Sequence, residues 1–230
     1  MNCISNPHSG VPEKSYGAVF GYVQSGKTAN YIGLINKAVD AGYRIIIVLA
    51  GMHNNLRSQT QMRIDEEVLG FETSIEYLKK KSGLVPSVIG VGNLNFKMDK
   101  SIEPLTSRDE KGDFTKNRAS VSKLYEHPKI FIVKKKNTVL QCIYDNLSKN
   151  HAIVTNPDGK KKFPCEYSLL IIDDEADQAS VNTKYKTDRN GEISDESDVS
   201  RINELIRKIL SLFSCRSYVG YTATPYANVF

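Results

Sequence analysis

The sequence predicts a three-layer α/β/α domain with a mainly parallel sheet. Two patterns along its 230 residues lead to this prediction. Continuous apolar runs of strand length, such as RIIIVLA and YSLLII, are typical of strands that are buried on both faces. Longer segments between them carry apolar residues at helical spacing. Strands that alternate with helices favour a parallel sheet covered by helices on both faces.

The predicted elements follow one another in a regular order. Residues 1–16 lack periodicity and are interpreted as a lead-in, so that one domain is expected over 17–230. Strand patterns cover 18–23, 44–50, 129–133, 167–172 and 216–221, with a weaker one at 88–91. Helical spacing covers 27–41, 138–147 and 200–213, with a more polar candidate helix at 55–69. Residues 97–127 are polar and poorly periodic, which predicts an insertion or a long surface connection, and the acidic residues 188–198 predict a loop.

Composition narrows the class of protein. Hydrophobic residues make up 40% of the chain, which is typical of a soluble globular domain. No apolar run approaches the roughly 20 residues that span a bilayer, and the N-terminus lacks a secretory pattern, so no membrane partner and a cytoplasmic location are expected. The four cysteines are Cys3, Cys142, Cys165 and Cys215. They lie far apart in the sequence, which favours buried free thiols over a zinc site or a disulfide framework.

The net charge of +5 comes in part from two lysine runs, residues 134–136 and 160–162. Such runs are usually solvated faces of a protein. The alternative is contact with nucleic acid, because clustered lysine and arginine neutralise phosphates. Charge alone does not decide between these two interpretations.

Residues 21–28, GYVQSGKT, match the phosphate-loop pattern G-x-x-x-x-G-K-[ST] at every position. The pattern follows a predicted strand and opens a predicted helix, so backbone N–H groups and the helix dipole can face a phosphate. Lys27 is expected to contact the β- and γ-phosphates, and Thr28 to ligate Mg²⁺. The predicted nucleotide-binding residues are Gly21, Gln24, Ser25, Gly26, Lys27 and Thr28.

A carboxylate cluster follows the predicted strand 167–172. In an open parallel sheet, ligands bind beyond the carboxyl ends of the strands, so this cluster can face the phosphate loop. Asp174 is expected to hold Mg²⁺, and Glu175 to orient or deprotonate the attacking water. The bland alternative is a solvated acidic turn, which the presence of the phosphate loop disfavours.

These motifs resemble those of superfamily 2 helicases. Residues 174–177 spell DEAD, Thr222 and Thr224 belong to a TATP segment like the third motif of that family, and residues 49–59 (LAGMHNNLRSQ) resemble its motif Ia. The resemblance implies a RecA-like motor lobe that binds ATP and Mg²⁺. It also implies that Asp177, Thr222 and Thr224 couple nucleotide state to DNA, with RNA not excluded, and that Asn55 and Arg57 lie near nucleic acid.

A narrower resemblance, in residues 21–61 and in the closing GYTATPYANVF, is to the Z-one (Z1) domain family. These are helicase-like proteins assigned as endonucleases of bacterial restriction, repair or defence systems. The resemblance implies a helicase or translocase type of ATP hydrolase whose second lobe, with an arginine finger, is absent from residues 1–230. Those residues alone are then expected to hydrolyse ATP very slowly.

Other functional classes fit less well. A nuclease site would need a D…(D/E)-x-K arrangement, and the local match at residues 109–111 lies in the polar connection with no predicted strand beneath it. The N-K-x-D motif of GTPases and the LSGGQ segment of ABC-type ATPases do not occur at a suitable place. The remaining alternative is a DNA-binding or nucleotide-switch module, associated with an endonuclease, that binds nucleotide without turnover.

Overall fold

The fold is organised around one sheet of six parallel strands. The structure is a computed structural model that describes residues 4–21, 26–79, 87–94, 102–116, 126–150, 153–156, 158–177 and 196–223, and of residues 77 and 196–200 the backbone alone. The strands are β1 (Lys14–Phe20), β2 (Ile45–Ala50), β3 (Glu103–Pro104), β4 (Lys129–Val133), β7 (Leu169–Asp174) and β8 (Arg216–Thr222). They lie in the order β1-β8-β7-β2-β4-β3. A separate antiparallel hairpin is formed by β5 (Val154–Thr155) and β6 (Lys161–Lys162).

Helices cover both faces of the sheet, as the alternating pattern predicts. They are α1 (Lys27–Asp40), α2 (Asn54–Ile64), which continues into a π-helical turn (Asp65–Leu69), α3 (Ile75–Leu78), α4 (Asn137–Ser148) and α5 (Glu196–Ser211). The apolar residues of α1 and of the π-helical turn form one buried cluster with one face of the strands. Those of α4 and α5 form the second cluster on the opposite face. The three-layer α/β/α architecture is therefore confirmed.

The amino-terminal segment belongs to the fold more closely than its sequence suggests. Strand β1 begins at Lys14, four residues before the predicted strand, and lies beside β8 in parallel register. Further upstream, Ser5 is buried and hydrogen-bonded to the hydroxyls of Tyr43 and Ser217. Tyr16 and Phe20 of β1 are exposed, because β1 pairs only with β8 among the described residues. An edge strand of this kind lacks the continuous apolar run by which buried strands are recognised.

Part of the predicted polar insertion is packed into the domain. Residues 103–104 form β3 beside β4, and the following segment is buried at Leu105, Thr106 and Phe114. Thr106 donates to the Gln61 side chain at 2.8 Å and accepts from the Ile132 N–H at 2.9 Å. Such bonds let polar residues be buried, so a polar sequence here does not mean a surface loop. The weak strand predicted at residues 88–91 is reduced to one bridge between Val88 and Phe71.

The expectation of free thiols is wrong for two cysteines. Cys165 and Cys215 form a disulfide with their Cα atoms 4.8 Å apart. Cys165 lies in the turn that precedes β7, and Cys215 directly precedes β8, so two neighbouring strands bring the cysteines together. Their separation of 50 residues in the sequence concealed this proximity. Cys142 is free, and Cys3 lies outside the described residues.

Within the part of the chain that the structure describes, no helix combines the length and apolar character needed to cross a membrane.

Candidate nucleotide site

Three adjacent strands end at one edge of the sheet and carry the predicted site residues. Gly21 follows β1, Thr222 ends β8, and Asp174 ends β7. Because the strand order is β1-β8-β7, the end of β8 lies between the phosphate loop and the acidic cluster. The Gly21 N–H donates to the Thr222 carbonyl at 3.1 Å, which ties the start of the phosphate loop to β8.

The second half of the phosphate loop opens α1. Gly26 has a φ of 76°, a left-handed conformation that glycine adopts without steric cost, and Lys27 is the first residue of the helix. The Lys27 ammonium donates to the Gly21 carbonyl at 2.9 Å and thereby spans the loop from end to start. A cation and a helix N-terminus therefore share this corner, which is the electrostatic setting that an anionic phosphate needs. Gln24 and Ser25 lie outside the described residues.

Asp174 faces the helix that begins at the phosphate loop. Tyr31, a buried residue of α1, donates its hydroxyl to Asp174 Oδ2 at 3.2 Å. The Tyr31 ring packs edge-on against Tyr221 of β8, with ring centroids 5.5 Å apart. Burial raises the pKa of Asp174 above its usual value, and the Tyr31 hydrogen bond and the charges of Lys135 and Lys27 oppose that shift. Asp174 thus lies on the face of the sheet that α1 covers, and the Thr28 side chain of α1 also hydrogen-bonds to Tyr31.

The preceding residue, Asp173, points to the other face of the sheet. It is fully buried, accepts a hydrogen bond from the Tyr218 hydroxyl at 2.6 Å, and forms an ion pair with Lys135 whose Nζ–Oδ1 distance is 2.6 Å. Adjacent strand residues point to opposite faces, so the two aspartates have separate surroundings. Asp173 therefore anchors the end of β7, while Asp174 is available on the phosphate-loop side.

Glu175 leaves β7 in an unusual backbone conformation. Its φ is 55°, and no other non-glycine residue in the described part of the chain has a positive φ. The Glu175 carbonyl accepts a hydrogen bond from Lys135 Nζ at 2.5 Å, and the next N–H, that of Ala176, donates to the Tyr221 carbonyl at 2.8 Å. Glu175 Oε2 is buried and has no hydrogen-bond partner among the described residues. A strained backbone and an unsatisfied buried carboxylate oxygen are features that functional sites retain.

The carboxylate of Glu175 lies against the end of β2. A Cβ atom built on Gly51 would lie 3.5 Å from Glu175 Oε2 and 3.2 Å from the Leu56 side chain. Gly51 also has a φ of 67°, so a larger residue here would be strained as well as crowded. The glycine at this position therefore suits both its left-handed backbone and the close packing of Leu56 beside the Glu175 carboxylate.

The donor set is compatible with Mg²⁺ bound together with a nucleotide. Magnesium in phosphate-transfer sites is held by one or two protein oxygens plus substrate phosphates and water, rather than by an all-protein cage. The Thr28 hydroxyl and the Asp174 carboxylate are such oxygens, and the buried Glu175 oxygen lies at the same strand ends. No group of three or more histidines, cysteines or acidic residues that could hold a metal occurs among the described residues.

Arg57 does not lie on a surface where it could contact nucleic acid. Its side chain is fully buried and donates to the backbone carbonyls of Ser107 at 2.8 Å and Asp109 at 2.5 Å. These bonds hold the segment after β3 against α2, so the prediction for Arg57 is corrected to a structural role. Asn55 in the first turn of α2 is exposed, at the carboxyl edge of the sheet.

The two lysine runs do not share a surface. Residues 134–136 follow β4 at the carboxyl edge, whereas Lys161–Lys162 form β6, shortly before β7 begins at the amino edge. Within the first run Lys135 is buried, Lys134 is half-buried and Lys136 is exposed. The interpretation of this run as a solvated face is therefore wrong for Lys135, which is an internal ion-pair partner. Contact of the other lysines with nucleic acid stays a prediction.

The remaining predicted residues differ in what the structure says of them. Thr222 is fully buried at the end of β8, and Asp177 is partly exposed after the Glu175 turn. Thr224 lies outside the described residues. No family model, no curated protein and no solved structure matches the chain.

Two residues of the site, Tyr31 and Lys135, escaped prediction from the sequence. Tyr31 lies four residues after Lys27, which places it one turn further along α1, and this spacing is the signal that could have found it. Lys135 has no comparable signal, because it is the middle member of three consecutive lysines.

Proposed function

We propose that this chain is the nucleotide-binding lobe of a superfamily 2 helicase- or translocase-like ATPase that acts on DNA. The proposal is supported above all by one arrangement: the phosphate loop after β1 and the Asp174–Glu175 pair after β7 flank the end of β8, and Asp174 faces α1. A loop for phosphate and carboxylates for metal and water are the parts that phosphoryl transfer requires.

Each residue has a distinct role in this proposal. Lys27 and the N–H groups at the start of α1 bind the β- and γ-phosphates of ATP, and Lys27 exchanges its Gly21 carbonyl partner for phosphate oxygens. Thr28 and Asp174 would hold Mg²⁺, which would supply positive charge to stabilise the phosphoryl group during transfer. Glu175 orients the attacking water and accepts its proton.

The residues proposed to respond to nucleotide are Asp177, Thr222 and Thr224. The backbone bond between Gly21 and Thr222 gives the phosphate loop a direct mechanical connection to the end of β8. Asp177 lies in the turn that begins at Glu175, directly after β7, the strand next to β8. A shift of the phosphate loop on nucleotide binding can therefore reach the segment after Thr222, which in the resembled motors couples nucleotide to DNA.

The finer assignment follows the resemblance alone. It makes the protein a Z-one family member of bacterial restriction, repair or defence, located in the cytoplasm, whose turnover needs a facing lobe. An arginine finger from such a lobe accelerates hydrolysis by roughly 10³–10⁵. Residues 1–230 by themselves would then bind ATP but hydrolyse it slowly.

The proposal is tested by titrating residues 1–230 with a fluorescent ATP analogue, with Mg²⁺ and with EDTA. We expect saturable binding that Mg²⁺ strengthens, and weaker Mg²⁺-dependent binding in Asp174→Asn, because that variant loses a charged metal ligand. Glu175→Gln should bind as tightly as the wild type. If the wild type does not bind the ATP analogue, the nucleotide-site proposal is wrong.

The ATPase part of the proposal is tested by the rate of phosphate release. Phosphate release with and without DNA should fall by at least about a hundredfold in Glu175→Gln, the scale expected when a general base is lost. Unchanged phosphate release in that variant would exclude Glu175 as the base. Binding without measurable turnover, even with DNA, would instead favour the nucleotide-switch alternative.

A further inference from the structure

Lys135 connects the two residues that flank Asp174. Its ammonium lies 2.6 Å from Asp173 Oδ1 and 2.5 Å from the Glu175 carbonyl oxygen. Its own N–H donates to the Gly51 carbonyl at 2.9 Å, so its backbone is bound to the end of β2. One side chain from the end of β4 thus crosses β2 and holds the end of β7 on both sides of the proposed metal ligand.

The burial of this lysine requires a physical reason. The side chains of Lys135 and Asp173 are both 0% exposed. A buried ion pair contributes little net stability, because removing both charges from water costs about as much as their attraction returns. Apolar residues would fill the same space at no electrostatic cost. The pair is therefore better explained by the geometry that it imposes than by the stability that it adds.

That geometry concerns the direction in which the chain leaves β7. Glu175 has a φ of 55°, a conformation that most residues with a side chain avoid. Such a conformation persists only where the surrounding contacts hold it in place. The bonds that hold it are those of the Glu175 carbonyl to Lys135 and of the Ala176 N–H to Tyr221. With Asp173 held by Lys135 and Tyr218, Asp174 has fixed residues on both sides.

We propose that Lys135 is a positioning residue of the nucleotide site: by binding the Asp173 carboxylate and the Glu175 carbonyl, it holds Asp174 in the orientation that receives Mg²⁺ and Glu175 in the orientation that receives water. This inference rests on the proposed function. In this proposal Lys135 touches neither nucleotide nor metal. It acts through Asp173 and Glu175, the two residues on either side of Asp174.

The test separates nucleotide binding that depends on Mg²⁺ from binding that does not. A fluorescent ATP analogue is titrated into residues 1–230 in Mg²⁺ and in EDTA, for the wild type, Lys135→Met and the double variant Lys135→Met/Asp173→Leu. The double variant leaves no lone buried charge and so protects against unfolding. Lys136→Met, which removes the same charge from the exposed neighbour, is the matched control.

We expect Lys135→Met and the double variant to lose at least about tenfold of the affinity that Mg²⁺ adds, with binding in EDTA unchanged within about twofold. Lys136→Met should retain the wild-type response to Mg²⁺. Wild-type Mg²⁺ dependence in the double variant would overturn the role of Lys135 and leave the proposed function standing. Parallel loss of binding in Mg²⁺ and in EDTA would show a merely structural lysine and also overturn it. Failure of the wild type to bind nucleotide would instead remove the proposed function itself.

Discussion

The Gly21 N–H and the Thr222 carbonyl oxygen are joined by a hydrogen bond of 3.1 Å. This bond continues the parallel ladder of β1 and β8, which ends in the pair Phe20 and Thr222, by one step into the phosphate loop. Thr222 is fully buried, so this end of β8 has little freedom to move independently of the loop. Movement of the phosphate loop and movement of the segment after β8 are therefore expected to be coupled.

The first prediction concerns the cation of the phosphate loop. Lys27→Ala should weaken triphosphate binding at least tenfold, about 1.4 kcal/mol, because we propose the ammonium at the start of α1 as the main charge contact to the β- and γ-phosphates. Calorimetry with ATP and Mg²⁺ measures the change. Lys37→Ala, which removes the same charge from an exposed site near the end of α1, is the control and should bind as the wild type does. Equal affinities of Lys27→Ala and the control would contradict the proposed site.

The buried strands of the sheet were predictable because each is a continuous apolar run in the sequence. Strands β2, β4 and β7 are buried at nearly every position, and a parallel strand covered on both faces must be apolar throughout. Asp174 was predictable for a related reason, since carboxylates directly after such a strand lie at the edge where ligands bind.

The rest of the site depends on contacts between residues far apart in the sequence. Lys135 and Asp173 are separated by 38 positions, as their numbers show, and neither carries a local signal of pairing. Charged residues ordinarily prefer solvent, so the sequence predicts an exposed surface for the run of residues 134–136 and gives no indication that a lysine within it is buried. Arg57 was misjudged for the same reason, because its partners are backbone carbonyls, which no sequence pattern marks.

Arg57→Met should reduce the stability of the domain. Its buried guanidinium donates to the carbonyls of Ser107 and Asp109, and hydrogen bonds to charged groups contribute about 1.5–3 kcal/mol. We expect a loss of unfolding free energy on that scale in urea titrations. Arg63→Met, in which an exposed i,i+4 pair with Glu67 is removed, should change it by less than about 1 kcal/mol. Equal small effects of both variants would contradict the structural role of Arg57.

The disulfide between Cys165 and Cys215 should stabilise the protein under oxidising conditions. It closes a segment of 50 residues, and cross-links of this size typically contribute about 2–4 kcal/mol through the restricted unfolded chain. Reductant should therefore lower the urea midpoint of the wild type, and Cys165→Ser should lower it without further response to reductant. Cys142→Ser, at the free cysteine, should retain the full response. An unchanged urea midpoint of the wild type in reductant would show that this bond contributes no stability.

The last prediction places DNA at the carboxyl edge of the sheet rather than at the opposite edge. Asn55 is exposed in the first turn of α2, where free N–H groups and the positive end of the helix dipole favour a backbone phosphate. Lys160 is exposed in the hairpin, which precedes β7 at the amino edge. Asn55→Glu should therefore weaken binding to a single-stranded oligonucleotide by about fivefold or more at low salt, since a carboxylate there repels phosphate.

Lys160→Glu supplies the matched control. It changes the charge by two units, against one unit for Asn55→Glu, so a purely general charge effect would make Lys160→Glu the more harmful variant. The proposed location predicts the reverse order, with Lys160→Glu within about twofold of the wild type. Anisotropy titrations at several salt concentrations measure both effects, and binding of the wild type should fall steeply with salt and depend little on base sequence. A stronger effect of Lys160→Glu than of Asn55→Glu would move the DNA surface to the hairpin edge and separate it from the nucleotide site.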